Sequence, residues 1–249
     1  MVVFDLDKTL SKSKQTMDEE MAGILRSLME RFLVAVISGG SYAQFQKQVL
    51  PPMLPGPHLK NFYLFPTCGS AFYRYGKDGW EEVYTEKLAP EEKKRIFEAF
   101  PKMFEEVGFR IPEPLYGILI EDRESQITFA ACGSDAPLAI KSVWDPDRNK
   151  RLKMIEVLYR FLPEFELRTG GSNSIDVTRK GIDKAYGIKQ MEKHLGLSRN
   201  EILFIGDDLG PGGNDAPVKD IGVDCVSVVD EEETKRILRE VIAVTPPRQ

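Results

Sequence analysis

The sequence predicts an α/β protein with a Rossmann-like parallel-sheet core and an inserted α+β domain, and three observations lead there. Apolar runs of strand length alternate with helical patterns in residues 1–84 and again in residues 181–249, the order that builds a parallel sheet with crossover helices. Between them, in residues 85–180, helices and strands follow one another without that alternation, as in a separate α+β domain. Two apolar runs two hundred residues apart, Val2-Val3-Phe4 and Ile202-Leu203-Phe204-Ile205, both end in carboxylates, and open α/β sheets gather ligands at the carboxyl ends of their strands.

Taken in order, Val2 to Phe4 reads as a buried strand. Met17 to Phe32 reads as a helix with Met21, Ile24, Leu25 and Leu28 on one face. Leu33 to Ile37 is a second strand, and Tyr42 to Leu50 a second helix. Pro51-Pro52-Met53-Leu54-Pro55-Gly56-Pro57 can only be a rigid connection. Phe62 to Phe65 and Ala71 to Tyr75 read as strands around a turn at Cys68-Gly69-Ser70. The insertion then reads helix (Pro90 to Val107), strands (Gly117 to Glu121, Gln126 to Ala131), helix (Asp147 to Phe161) and strands (Glu164 to Thr169, Ser174 to Val177). From Lys184 a helical pattern runs through Tyr186, Ile188, Met191 and Leu195, and alternation continues to a terminal helix and a loose tail at Thr245-Pro246-Pro247.

Composition narrows the class. A chain of 249 residues can bury a large core. Its net charge of −5 argues against a nucleic-acid or membrane-surface partner, which calls for a basic stripe. No stretch has the apolar length of a membrane span, Met1 leads straight into a strand, and the three cysteines, Cys68, Cys132 and Cys225, lack metal spacing. Together these point to a cytoplasmic protein with reduced thiols.

The chemistry is concentrated at strand ends. In Asp5-Leu6-Asp7-Lys8-Thr9, alternation along an extended chain puts Asp5 and Asp7 on one side, where a single cation touches both and removes their repulsion. One carboxylate then remains to attack an electrophile, most plausibly phosphorus. Gly206-Asp207-Asp208 and Pro211-Gly212-Gly213-Asn214-Asp215 supply the second half, with Asp207 and Asp215 the better metal candidates. Hard oxygen donors suit Mg2+. Ser38 and Gly39, before Gly40-Ser41 and a helix start, offer a hydroxyl and backbone N–H groups to a phosphoryl group. Lys180-Gly181-Ile182-Asp183-Lys184 opens a helical pattern, and a lysine at its start can reach the same phosphate as a point charge.

DxDxT after a first strand, Ser after a second, Lys opening a helix and GD…D after a later strand, in that order, resemble the four motifs of the haloacid dehalogenase superfamily of phosphotransferases. The finer detail is similar to the branch whose large cap is inserted late in the core (type IIB), which holds sugar-phosphate phosphatases and the eukaryotic-type phosphomannomutases. The spacing from Asp207 to Asp215 resembles the phosphomannomutase form, and Gly170-Gly171-Ser172-Asn173-Ser174-Ile175-Asp176-Val177 looks like that family's GGxxSxDV hexose-binding stretch. The likeness is strong at both ends of the chain and weak from about Leu88 to Leu115.

The resemblance implies a Mg2+-dependent enzyme acting on a small sugar phosphate through an aspartyl phosphate. Asp5 would be nucleophile, Asp7 acid and base, Lys184 a catalytic and phosphate-binding cation, and Thr9, Ser38 and Gly39 phosphate-binding. Asp5, Asp7, Asp207 and Asp215 would hold the ion, and Lys14, Arg123, Lys141, Ser174 and Asp176 the substrate. Where the family has a cluster of arginines for a distal phosphate, Arg123 matches, while Ser134, Lys141 and Lys14 stand at arginine positions. A phosphomannomutase-like activity is therefore expected, with a sugar-phosphate phosphatase as the alternative and a non-catalytic sugar-phosphate-binding module as a third reading. Homodimerisation through the cap is left open. Simpler readings compete at single residues: Ser38 as a helix cap, Lys184 as a solvated lysine, Ser174 and Asp176 as backbone partners, and His58, His194, Trp80 and Trp144 as packing.

Overall fold

A computed structural model describes residues 1–248 and divides them into two compact units. In chain order, the first contributes β1 (Val2–Phe4), α1 (Glu19–Met29), β2 (Val34–Ile37), α2 (Tyr42–Gln48), β3 (Phe62–Phe65), β4 (Ala71–Tyr75) and β5 (Trp80–Thr85). The second, residues 86–182, holds α3 (Pro90–Val107), β6 (Ile120–Asp122), β7 (Ile127–Ala130), α4 (Leu138–Trp144), α5 (Asn149–Phe161), β8 (Phe165–Gly170) and β9 (Ser174–Arg179). From Asp183 the chain returns to the first unit with α6 (Lys184–Leu195), β10 (Leu203–Gly206), α7 (Ala216–Asp220), β11 (Asp224–Ser227) and α8 (Glu231–Val244).

Among the described residues the first unit is built on a seven-stranded sheet in the order β11-β10-β1-β2-β3-β4-β5. Its first five strands are parallel. Strand order reverses at β1: the chain leaves it toward β2 on one side, and β10 fills the other side much later. The carboxyl ends of β1 and β10 therefore meet at the switch point, where such sheets place ligands. Period-two alternation divides the strand residues between the two faces. Val2, Phe4, Val34, Val36 and Ile205 pack with Met21, Leu25 and Leu28 of α1 and Leu238 of α8. Val3, Ala35, Ile37 and Phe204 pack on the other face with Ile188 and Met191 of α6 and Val218 of α7. Each large side chain buried in these two layers contributes about 1.5–3 kcal/mol, which fixes the strand ends that carry the acidic groups.

The strands read on either side of the turn at Cys68 pair antiparallel, β4 with β3, and β5, unread in the sequence, pairs antiparallel with β4. The few residues between β3 and β4 are too short for a crossover, so the chain turns back. β5 is an edge strand whose Glu81, Glu82 and Val83 are exposed, so it lacks an apolar alternation to read. The first helix is shorter than expected, because the Asp18 side chain caps it by accepting from Met21 N at 2.8 Å.

The second unit is an antiparallel sheet in the order β6-β7-β9-β8. Its core joins Ile127, Phe129, Ile175 and Val177 from the strands to Phe100 and Met103 of α3 and Met154 and Leu158 of α5. The short α4, between Pro137 and Asp145, was not expected from the sequence.

Candidate active site

Asp5 is the first residue past β1, and its N–H donates to Ile205 O at 2.9 Å, continuing the ladder with β10. Both Asp5 and Lys184 are buried, with 4% and 1% of the residue exposed. Lys184 Nζ lies 2.5 Å from Asp5 Oδ1 and 2.5 Å from Asp215 Oδ1, and donates to Asn214 Oδ1 at 3.3 Å. Lys184 is thus not a solvated helix lysine. Asp183 caps α6 by accepting from Tyr186 N, which sets Lys184 at the first helical position. The helix approaches the turn after β3 so closely that a Cβ at Gly69 would lie 2.3 Å from Gly187 Cα, so only glycine allows this seat for Lys184.

Asp215 is fully buried; its Oδ2 accepts from Asp208 N at 3.0 Å. A Cβ on Gly206 would lie 2.4 Å from that same oxygen, which explains the glycine before Asp207. Asp5, Asp207 and Asp215 each present a carboxylate oxygen within 4.8 Å of the others. Lys8 Nζ reaches Asp207 Oδ2 at 3.7 Å from the solvent side.

Electrostatics follow from this crowding. Burial pushes the Asp5 carboxyl well above its usual range; Lys184 opposes the shift, and Asp215 and Asp207 add to it. Burial, reinforced by Asp215, likewise raises Asp207. Burial alone would lower the Lys184 pKa, but Asp215 and Asp5 outweigh it and hold the ammonium charged. With all three carboxyls ionised, as a bound cation would favour, one buried ammonium leaves two negative charges. The donor set is all oxygen, without His or Cys in the group, and these residues fit a divalent ion.

Asp7 differs from the expectation that it shares the ion through its carboxylate. Its side chain is not part of the group of three; Asp7 Oδ1 accepts from Lys14 N at 2.5 Å. Extended alternation stops because β1 ends at Phe4 and the chain coils, with Leu10 N and Ser11 N donating to Leu6 O and Lys8 at φ 61°. Thr9, inside that coil, is fully buried, and its hydroxyl has no hydrogen-bond partner among the described residues. Ser38 follows β2, with Oγ accepting from Gly40 N at 3.2 Å. The cap of α2 is Ser41, through a reciprocal pair with Gln44, so Ser38 is not occupied as a helix cap.

Within the second unit, Ser174 and Asp176 share one face of β9, Ser174 Oγ donating to Gly170 O at 2.6 Å and Asp176 Oδ1 accepting from Thr128 Oγ1 at 2.8 Å. Arg123 lies in the turn after β6 with Nε and Nη2 on Glu121 Oε2 at 2.9 and 2.7 Å. Lys141 is buried on α4. Sequence reasoning missed Lys8 and Asn214 as neighbours of the carboxylates; both lie inside the motifs, but their contacts depend on loop geometry.

The solved structures similar to this chain share its fold. An IMP-nucleotidase of Plasmodium falciparum superposes with a TM-score of 0.70 at 18% identity, covering 98% of this chain and 68% of that one. A haloacid dehalogenase-like hydrolase from Bacteroides thetaiotaomicron gives 0.60 at 14% identity, covering 96% and 98%. The fold is thus of the haloacid dehalogenase type, with the carboxylate group at the switch point of its sheet. The family described as Eukaryotic phosphomannomutase matches residues 21–244, and the chain belongs to that family. A curated relative, phosphomannomutase of Saccharomyces cerevisiae, is 27% identical over 249 residues, 96% of this chain and 93% of its own length. Enzymes of this family generally use a divalent metal ion.

Proposed function

We propose that the chain is a Mg2+-dependent hexose-phosphate phosphotransferase working through an aspartyl phosphate on Asp5, with the phosphomannomutase reaction as its activity. The observation that carries this is the buried group of Asp5, Asp207, Asp215 and Lys184 at the switch point, in a chain of the phosphomannomutase family. The ion, held by Asp5, Asp207 and Asp215, would supply charge neutralisation and Lewis acidity toward the phosphoryl oxygens. Asp5 attacks phosphorus in line, displacing the sugar oxygen. Asp7 gives that oxygen a proton and later takes one from the accepting hydroxyl. Thr9, Ser38 and the Gly39 backbone hold the phosphoryl oxygens; the partnerless Thr9 hydroxyl supports this, because a buried hydroxyl calls for an acceptor. Lys184 offsets charge as the phosphoryl group arrives. Lys14, Arg123, Lys141, Ser174 and Asp176 take the sugar and its distal anion. We take the second unit as the inserted cap, and the absence of disulfides among the described residues fits a cytoplasmic setting.

A sugar-phosphate phosphatase is the second reading. Ser134 and Lys141 stand where the resemblance leads one to expect arginines, and Arg123 is already engaged by Glu121, which thins the grip on a second phosphate. Incubation with Mg2+ and mannose or glucose 1-phosphate, with and without hexose bisphosphate, followed by phosphorus NMR, decides the matter. The mutase gives the 6-phosphate. Free phosphate alone makes it a phosphatase, and no reaction leaves the binding module.

A further inference from the structure

We propose that Lys8 is an exchangeable counter-ion of the carboxylate group and sets its affinity for the divalent ion, an inference that rests on the ion-binding reading above. The two lysines near the group divide it between them. Lys184 is buried, with 1% of its side chain exposed, and binds Asp5 and Asp215. Lys8 pairs with Asp207 at 3.7 Å from a side chain 63% exposed. One is built into the core and stays. The other is an exposed pair, weak enough to exchange in solution.

Charge explains why it must exchange. Ionised around a bound ion, Asp5, Asp207 and Asp215 carry three negative charges; Lys184 cancels one, and a divalent ion cancels the other two. Lys8 is then surplus. An arriving cation meets an ammonium already on Asp207 and repels it at short range, so ion binding and the Lys8–Asp207 pair compete.

The turn makes this placement specific. Lys8 has φ 61°, its N–H donates to Ser11 O at 2.6 Å, and it lies one residue after Asp7 and three after Asp5. That conformation is unfavourable for a side-chain-bearing residue and suits glycine. A long cation at such a position is held over Asp207 by the backbone turn.

The test is Mg2+ binding by isothermal titration calorimetry at low salt, without substrate. Lys8→Gln should bind Mg2+ roughly three- to tenfold more tightly than the unaltered protein, with the gain shrinking as salt rises. Lys8→Gly, at ease in the turn, should show the same tightening should Lys8→Gln fold poorly. Lys8→Arg should keep the original affinity, and Lys12→Gln, an exposed lysine nearby, should change nothing. Unchanged or weaker binding in both Lys8→Gln and Lys8→Gly would overturn the proposal. Asp207→Asn separates the two levels of failure. If it weakens Mg2+ binding while the Lys8 variants do not tighten it, only the role of Lys8 falls. If it leaves binding unchanged, or the unaltered protein takes up no Mg2+, the carboxylates are not the ion site and the functional reading falls with it.

Discussion

The buried carboxylate group of the first unit and the ion pairs of the second use charged side chains in opposite ways. In the first, Asp5, Asp207 and Asp215 converge on a single buried ammonium and are left with negative charge to spare. In the second, acids and bases pair: Arg123 with Glu121, Arg151 with Asp145, Arg168 with Glu166, Arg179 with Glu92. An unbalanced buried cluster is unfavourable by itself, because desolvation and like charges both oppose it, so it favours binding of a cation. Paired charges within one sheet and its helices point to a framework. The candidate reacting group thus belongs to the first unit, and the ion pairs of the second tie that unit's own strands and helices together.

The sharpest way to break this contrast is Asp5→Asn. The amide keeps the shape and removes the attacking oxygen anion, so turnover should fall by more than about 10^4-fold, while circular dichroism and the melting temperature report an intact fold. Near-normal turnover in phosphorus NMR would rule out the covalent route. Next comes Lys184→Met, which keeps bulk and removes the counter-charge of two buried carboxylates. Stability without divalent ion should drop by about 3–5 kcal/mol in urea unfolding, and Mg2+ should restore much of it by supplying the lost positive charge. A loss that Mg2+ leaves untouched would mean that Lys184 serves packing rather than charge balance.

How far the sequence disclosed all this differs between the units for a physical reason. Asp5, Ser38, Lys184 and Asp207 each stand at the end of a buried strand or the start of a helix, positions that local pattern alone defines. The contact between Lys184 and Asp215 was not legible, because it depends on Gly69 and Gly187 letting α6 lie against a turn. The placement of the Asp7 side chain away from the other three carboxylates was not legible, because extended alternation ends with β1 two residues earlier. In the second unit the informative facts are cross-strand and tertiary. Nothing near Arg123 shows that Glu121 is its partner rather than a phosphate, and nothing near Asp145 shows that Arg151, which it binds, also donates to the carbonyls of Gly170 and Gly171 at 3.1 and 2.8 Å.

That last pair gives a pH test of the second unit. Burial would raise the Asp145 pKa, but the Arg151 side chain and the amides of Lys150 and Arg151 outweigh it and hold the carboxyl below its usual range. A carboxyl whose folded pKa is depressed contributes stability above its unfolded value and loses it as pH falls through the folded one. Asp145→Asn, which leaves the buried Arg151 without its charge partner, should therefore cost about 3 kcal/mol at pH 7. The gap from the unaltered protein should close as pH is lowered below the ordinary carboxylate range. A gap equal at pH 3 and pH 7 in urea unfolding would assign the pair's value to shape instead of charge.

The smallest expected effect bears most on which activity the chain has. Arg123 donates from Nε and Nη2 to one oxygen of Glu121, so any distal phosphate it holds must share the guanidinium with that carboxylate. If Arg123 reads phosphate, Arg123→Ala should weaken a hexose phosphate relative to a small phosphomonoester by about 1.5–3 kcal/mol, roughly tenfold to a hundredfold in kcat/KM. Glu121→Gln should then act the other way and more weakly, because a neutral amide competes less for the guanidinium. If Arg123 is framework only, both substrates should lose equally, the melting temperature should fall, and Glu121→Gln should bring no gain. The first pattern places a phosphate-reading charge in the otherwise balanced second unit, as a mutase with two phosphate ends requires. The second keeps the contrast between the units complete and moves the phosphatase to the front, since an enzyme that only releases phosphate needs a firm grip at Asp5 alone.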